Sequence, residues 1–491
     1  MLNWLLALVS GVLLVLAFPK WDFAWLAPVA LSPLLVAAAR EPRLLRRFLM
    51  GWASGFVYWF GVCYWIQFDL AAYAGVGAAG GWALFVLFAV AKALHTAVFT
   101  ALAGMLMRRW WSLPCVAALW VAIEATHVSL GFAWLALGNA GIEMSIPLRL
   151  APYTGVYGLS FVFALTAAAL ASAMLRRPRA EMAWLGMALF IGLLPPLPDA
   201  HRGRESALLV QPNLSETEEY TSESLANVQQ SLAALTERSA ALQGLRKPSI
   251  LVWPEVPAPF YYDEDPRFRK YADDLARTTG AYLLTGVVAH TPAGAPLNSA
   301  VLISPEGGKI SRYDKVNLVP FGEFVPWPFG GITRKISTEA GDFTAGTRVV
   351  VSSAGKHRIG TFICYESVFP NFVRRFADGG AEVLFNISND GWFGHSAARW
   401  QHLEIVRMRA AENCRWVLRS TNDGITATID SAGRLRSVMP LYVQGATSAA
   451  FDYESRKTVY TQWGDWFVVV CATVALACLI AARPSPIANV K

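Results

Sequence analysis

The sequence predicts a polytopic α-helical membrane domain of about eight spans that carries an extracytoplasmic α/β domain. Three observations predict it. Of 491 residues, 55% are hydrophobic and only 16% charged, too apolar a mixture for an ordinary soluble protein. The apolar residues are concentrated: the first 200 positions are nearly continuous hydrophobic runs, whereas positions 200–460 have the mixed composition of a soluble domain. Finally, arginines cluster in a few short loops of the apolar part, where they carry orientation information.

A bilayer core about 30 Å thick needs roughly 20 apolar residues per helical crossing. Seven stretches qualify before the soluble region, near 3–19, 24–39, 48–68, 82–107, 113–135, 154–175 and 182–198, and an eighth lies near 463–482. The first has no Lys or Arg ahead of its apolar run, so it reads as a helix rather than a secretory signal. With the N-terminus inside, the inner loops carry Arg40, Arg43, Arg46 and Arg47, then Arg108 and Arg109, then Arg176, Arg177 and Arg179, and finally Arg483 and Lys491. The outer loops hold only Lys20 and Arg149. This is the positive-inside pattern, and it leaves the soluble region outside. The expected division is a seven-helix membrane domain over 1–200, a catalytic domain over 201–458, and a last helix with a short cytoplasmic tail over 459–491. The formal net charge of +7 therefore reports membrane orientation and implies no nucleic-acid partner.

Within the soluble region, short β-branched runs alternate with helical stretches, the pattern of a layered α/β domain. Strands are expected at 207–211, 250–253, 282–288, 300–304, 359–364, 383–387, 416–420 and 425–429, and helices at 222–242, 266–278, 370–377 and 398–412. Cys63, Cys115, Cys471 and Cys478 fall in spans, where Cys serves as a small hydrophobe. Cys364 and Cys414 remain, and an oxidising compartment would allow them to pair. Lys92 with His95, and Glu124 with His127, fall inside spans; such groups are expensive in lipid and are expected to face inward and pair.

Several familiar signals are absent or out of context. Gly75, Gly77 and Gly80 spell G-x-G-x-x-G after a membrane span rather than after a strand, without an acidic residue about 20 positions on, so no nucleotide site is implied. There is no Walker loop and no G-x-S-x-G elbow. His395 and His402 stand seven apart without ligand-type neighbours, and neither a metal nor another cofactor is expected.

Three strings each place one reactive side chain at a strand end or in a constrained loop: Trp253-Pro254-Glu255, Tyr313-Asp314-Lys315 leading to Glu323, and Cys364-Tyr365-Glu366. Together they supply a base, a cation and a nucleophile. Glu, Lys and Cys in this order and these contexts resemble the nitrilase superfamily of αββα-sandwich enzymes. The longer strings resemble its membrane-embedded branch, the apolipoprotein N-acyltransferase family. These are LVPFGEFVP at 318–326, ISNDGWFG at 387–394, Arg407-Met408-Arg409 and RSTNDGI at 419–425, with Trp120, Glu124, Gly131, Phe132, Trp134, Gly138 and the GVYG at 155–158 in the membrane part. One departure is the segment 215–220 (SETEEY), where an arm carrying a Trp is expected.

The resemblance implies a fatty acyl transfer from a membrane phospholipid to the N-terminal amine of a diacylated apolipoprotein, through a thioester. It implies Cys364 as nucleophile and Glu255 as general base. Lys315, with the backbone N–H of Tyr365, would face the oxyanion. Glu323 would orient Lys315, and Glu366 would support the nucleophile. It further implies substrate contacts at Trp253, Trp392, Phe393 and Tyr220 and a multi-pass enzyme of the bacterial inner membrane with its catalytic domain periplasmic; a monomer is the default expectation. The aromatic loops 325–329 and 369–372 are candidates for dipping toward headgroups. Two other readings share these features: a hydrolase with the same triad and water as acceptor, and a transporter or receptor whose outer domain only binds.

Overall fold

The structure is a computed structural model that describes residues 1–73, 76–215, 220–242, 247–324 and 343–482. The chain divides into two compact units. One comprises Met1–Ile66, Trp82–Leu197 and the chain from Trp463 onward; the other comprises Gln67–Gly81 and Pro198–Gln462.

The first unit is helical. Gly77–Leu106, Ser112–Ser129 and Val156–Met174 are long and apolar enough to cross a membrane, and Leu2–Leu16 and Trp466–Ala482 are shorter apolar helices. Leu44–Val62 has 19 residues but opens with Arg46 and Arg47 in its first turn. Small residues bring the helices close: a side chain at Gly51 or Gly55 would run into Thr100 or Thr96 of the neighbouring helix, a packing device suited to lipid, where apolar burial gives no drive between helices.

Two segments expected to cross as single helices do not form one. In 24–39 the helix is confined to Ser32–Arg40, preceded by a 3-10 turn at Ala24–Leu26; Pro28 and Pro33 each remove an amide donor that a longer helix would need. In 182–198 the chain runs as 3-10 helix Arg179–Leu185, one α turn Gly186–Leu189 and 3-10 helix Phe190–Leu193. Gly186, Gly192 and the prolines at 195, 196 and 198 weaken a regular helix there.

Among the polar groups inside this unit, Lys92 and His127 pair from one helix to the next. Lys92 Nζ is held by His127 Nδ1 and donates to the Phe132 carbonyl at 2.9 Å, with the Trp59 ring 4.7 Å away. Glu124 instead accepts from the Leu137 N–H at 2.7 Å and the Trp120 indole at 3.1 Å. Cys115 and Cys478 are not isolated apolar fillers but form a disulfide, whereas Cys63 and Cys471 are free and buried.

The second unit holds two six-stranded sheets. Its strands are β1 (Glu205–Gln211), β2 (Ile250–Val252), β3 (Tyr282–His290), β4 (Pro296–Ile303), β5 (Lys309–Asp314), β6 (Val351–Ala354), β7 (His357–Ile363), β8 (Val383–Ser388), β9 (Val417–Thr421), β10 (Ala427–Ile429), β11 (Leu435–Val438) and β12 (Gly445–Phe451). The orders are β12-β1-β2-β3-β4-β5 and β11-β10-β9-β8-β7-β6. Each sheet has a parallel centre, β1-β2-β3 in one and β7-β8-β9 in the other, flanked by antiparallel edges. The Ser420 hydroxyl of β9 donates to the Val210 carbonyl of β1 at 2.8 Å and so ties the two sheets together.

Helices cover the outer faces. Ser222–Ala241 and Pro266–Thr279 pack Leu232, Phe268, Ala272 and Leu275 onto Leu208, Leu251 and Leu283 of the first sheet. Both helices start on side-chain caps, Thr221 and Asp265, and the second stops at Gly280 in the left-handed conformation. Pro370–Asp378 and Ala398–Asn413 lie against the second sheet. The result is the αββα sandwich expected.

Four strands escaped the sequence: β5, β6, β11 and β12. They lie toward the sheet edges, where one face meets water and the alternation of apolar residues fades, as in the exposed or half-exposed first four positions of β5. Of the two loops assigned to headgroups, 325–329 lies outside the described residues. In the other, Phe369 and Phe372 are buried, and Phe372 packs edge-on against Phe376, so this loop is core rather than a membrane contact.

Candidate active site

Parallel strands deliver their functional groups at their carboxyl ends, and β2, β7 and β8 do so together here. β2 ends at Val252, and three residues on the chain presents Glu255. This loop lies directly on β3: a Cβ at Gly286 would stand 2.3 Å from the Val256 nitrogen. Glu255 is only 5% exposed, yet both oxygens are satisfied. Oε1 accepts from Lys315 Nζ at 2.9 Å and from Asn298 Nδ2 at 2.7 Å, and Oε2 accepts from the backbone N–H of Asn389, just past β8, at 2.9 Å.

Lys315 follows β5 and is 1% exposed. Its ammonium lies between two carboxylates, Glu255 at 2.9 Å and Glu323 at 2.9 Å. Burial alone would lower its pKa; the Glu255 and Glu323 carboxylates outweigh that and hold it well above the ordinary lysine value. Glu323 is anchored in turn by the Val319 N–H at 2.8 Å. The Asn298 side chain, on β4, donates one amide hydrogen to Glu255 and the other to Glu323, both at 2.7 Å, and its backbone carbonyl accepts the Lys315 backbone N–H at 2.8 Å. Two carboxylates and one cation leave this buried cluster with one net negative charge.

Cys364 begins a 3-10 turn, Cys364–Val368, immediately after β7. Its φ is +47°, a left-handed conformation costing a side-chain-bearing residue about 1–2 kcal/mol. Glu366 holds the bend. Its Oε2 accepts from the Ile363 N–H at 2.8 Å, while Oε1 accepts from the Tyr313 hydroxyl at 2.6 Å and the N–H groups of Val316 and Asn317 at 2.7 and 3.1 Å. One carboxylate thus fastens the cysteine turn to the strand end that carries Lys315. Burial nevertheless raises its pKa to about 7, against the pull of the Ile363 N–H and Tyr313.

The Cys364 thiol is 4% exposed, and burial first, then the Glu255 carboxylate, pushes its pKa up; Lys315 and the Ser388 hydroxyl pull the other way. The resting group is a thiol rather than a thiolate, so attack requires a base at hand. Cys364 and Cys414 are both free, and no disulfide joins them. Behind the turn sits a second buried cluster. Asp390 accepts from Ser388 at 2.9 Å and from Arg419 at 2.7 Å, and His402 lies 3.1 Å from it. The Arg419 guanidinium keeps Asp390 well below the usual carboxylate range despite its burial.

The structure brings Glu255, Lys315, Glu323, Cys364 and Glu366 together. It treats the four expected substrate contacts unequally. Trp253 is fully buried in the core under the helices, its indole donating to Thr236 at 3.1 Å, and Tyr220 packs against the same core. Alternation puts Trp253 on the face of Leu251, toward the helix layer, and only because the strand ends and the chain bends at Pro254 does Glu255, two residues on, leave that face. Trp392 is half-buried on the 3-10 turn Asp390–Phe393, and Phe393 packs edge-on against His402. Sequence reading missed Asn298; its only signal is an amide beside Ser299 at the head of a strand whose other positions are apolar.

Both parts of the chain match known families. The carbon-nitrogen hydrolase family matches residues 205–459, and the apolipoprotein N-acyltransferase N-terminal domain matches residues 10–169. Proteins named apolipoprotein N-acyltransferase are similar along almost the whole chain. The one from Geobacter metallireducens is 33% identical, covering 98% of this chain and 95% of its own. That from Pseudomonas syringae pv. tomato is 31% identical over 98% and 97%, and that from Chlorobaculum tepidum is 30% identical over 97% and 96%. With both regions matched and relatives aligned from end to end, the chain belongs to the apolipoprotein N-acyltransferase family, whose membrane-helix region and nitrilase-type sandwich it carries in one polypeptide.

Proposed function

We propose that this enzyme moves a fatty acyl chain from a membrane phospholipid to the N-terminal amine of a diacylglyceryl-cysteine apolipoprotein, by way of a thioester on Cys364. The observation that carries the proposal is the buried Lys315 clamped by Glu255 and Glu323 within electrostatic reach of the Cys364 thiol. Glu255 takes the thiol proton as sulfur attacks the ester carbonyl, then passes it to the departing lysophospholipid oxygen. The incoming amine repeats the cycle: it attacks the thioester, Glu255 takes its proton, and that proton returns to the leaving thiolate. The amide product and free Cys364 result.

Charge accounting supports this order. When Glu255 becomes neutral, Lys315 loses one counterion just as an oxyanion forms, and the cation is free to face it. The cluster carries one net negative charge before attack and in the tetrahedral intermediate alike, so no charge is added to a dry site. The backbone N–H of Tyr365 is the second proposed oxyanion donor. Trp392, half-buried on the turn that follows Asn389, is better placed for substrate contact than Trp253 or Tyr220, which pack in the core, and than Phe393, which is buried against His402. Initial rates measured with phospholipid and diacylated lipopeptide both varied are expected to give parallel double-reciprocal lines. Intersecting lines would contradict the thioester route, and fatty acid released with no peptide acylated would mean a hydrolase.

We further propose about eight crossings in the bacterial inner membrane, with the sandwich periplasmic and the chain acting as a monomer. The arginine-bearing loops support this orientation. The irregular stretch Arg179–Leu193, laid end to end, would reach about 28 Å, because a 3-10 turn rises about 2.0 Å per residue and an α turn about 1.5 Å. That is close to the bilayer core. A cysteine introduced at the exposed Lys270 is expected to react with a membrane-impermeant maleimide in intact spheroplasts, above the labelling of the unmodified chain. Reaction only after lysis would place the sandwich inside.

A further inference from the structure

His402 was of interest in the sequence only as a candidate metal ligand, and it has no part in the chemistry above. Its placement gives it another task. The imidazole is fully buried on the helix Ala398–Asn413, with Nε2 3.2 Å from the Cys364 carbonyl and 2.8 Å from the Ser367 hydroxyl. Nδ1 faces Arg419 at 3.2 Å and Asp390 at 3.1 Å. Burial, and then the Arg419 guanidinium, lowers the pKa of the ring, which favours a neutral imidazole with a single N–H. A carbonyl can only accept, so its contact with Nε2 is attractive when that nitrogen carries the hydrogen. Nδ1 then accepts from Arg419, and the Asp390 oxygen 3.1 Å from it is not its hydrogen-bond partner but is satisfied by Arg419 and Ser388.

The consequence follows from the planarity of the peptide bond. The Cys364 carbonyl and the Tyr365 N–H belong to one trans peptide and point in opposite directions. Fixing the carbonyl therefore fixes the aim of the N–H. This matters at Cys364 in particular, because its φ of +47° is a conformation that the chain would leave if its anchors were removed. Glu366 anchors the Phe362–Ile363 peptide at the end of β7, through the Ile363 N–H, and His402 anchors the peptide that follows the cysteine.

We propose that His402 is a positioning residue that, by donating to the Cys364 carbonyl, aims the Tyr365 N–H at the oxyanion formed during acyl transfer. The proposal rests on the thioester reading above. It separates two reactions of one thiol. Acylation by phospholipid builds an oxyanion and needs the aimed N–H. Alkylation by iodoacetamide forms the S–C bond as iodide leaves, builds no oxyanion, and does not need it.

The test compares the two reactions on the full-length protein in phospholipid vesicles, for wild type, His402→Asn and His402→Gln. Asparagine keeps a polar group near the Nδ1 position but cannot reach the Cys364 carbonyl; glutamine can bring an amide N–H to the Nε2 position. His402→Asn is expected to lower the rate of acyl-enzyme formation about a hundredfold with alkylation of Cys364 unchanged, and His402→Gln to recover most of that loss. Undiminished acylation in His402→Asn, parallel loss of both reactions, or no recovery with glutamine would each overturn the assignment. Absence of an acyl adduct on the wild type would overturn the thioester reading and this proposal with it.

Discussion

Cys364→Ala is expected to lose acyl transfer by a factor on the order of 10⁴ or more, with no acyl adduct on the protein and little change in thermal stability. The thiol makes few contacts that alanine would forfeit, and the turn that presents it is held by Glu366 through backbone donors that the substitution leaves in place. Cys364→Ser is not expected to rescue. The site already pushes the thiol pKa upward through burial and the Glu255 carboxylate, and a hydroxyl, a weaker acid still, offers Glu255 a proton that it cannot take. Transfer assays on both variants, beside a thermal melt in the same detergent, distinguish a lost nucleophile from a lost fold. Substantial transfer by Cys364→Ala would remove the thioester.

Lys315→Met is expected to have the second largest effect, and it should harm stability as well as activity. The methionine fills much of the lysine stem's volume but leaves Glu255 and Glu323 facing each other in a dry site, with Asn298 as their common donor. Stranding a buried charge in this way costs about 3–5 kcal/mol, and transfer should fall at least about a thousandfold with the oxyanion's cation gone. The double variant Lys315→Met/Glu323→Gln removes the extra negative charge. It should regain most of the stability and none of the activity. Recovery of activity in the double variant would show that Lys315 serves only to neutralise Glu323.

The parts of this site that were legible in the sequence are those where chemistry and local geometry coincide. Glu255 and Cys364 come within three residues of the ends of strands whose apolar runs are unmistakable, and Lys315 and Glu323 sit in a loop between turn-forming residues. What could not be read depends on pairing across long stretches of chain. The helix Ala398–Asn413 carries His402, Glu404, Glu412 and three arginines, a composition that suggests a solvated face, yet the whole of it except Trp400 is buried. Arg399 is answered by Asp423, on another element, and Arg409 by Glu412, while His402 reaches across to the Cys364 carbonyl. Asn298 was hidden in the same way, since nothing local marks an amide that bridges residues 255 and 323. In the helical unit, Pro28, Pro33 and the prolines after Leu194 limited helix length where hydropathy alone suggested full spans.

The most direct test of the central claim is intact-mass spectrometry of the purified protein after incubation with phospholipid, followed by addition of a diacylated lipopeptide. A mass increase of one fatty acyl group on the wild type, absent from Cys364→Ala and discharged onto the peptide amine, is the predicted result. Transfer to the peptide with no adduct at any time on the wild type, under conditions where the enzyme turns over, would contradict it.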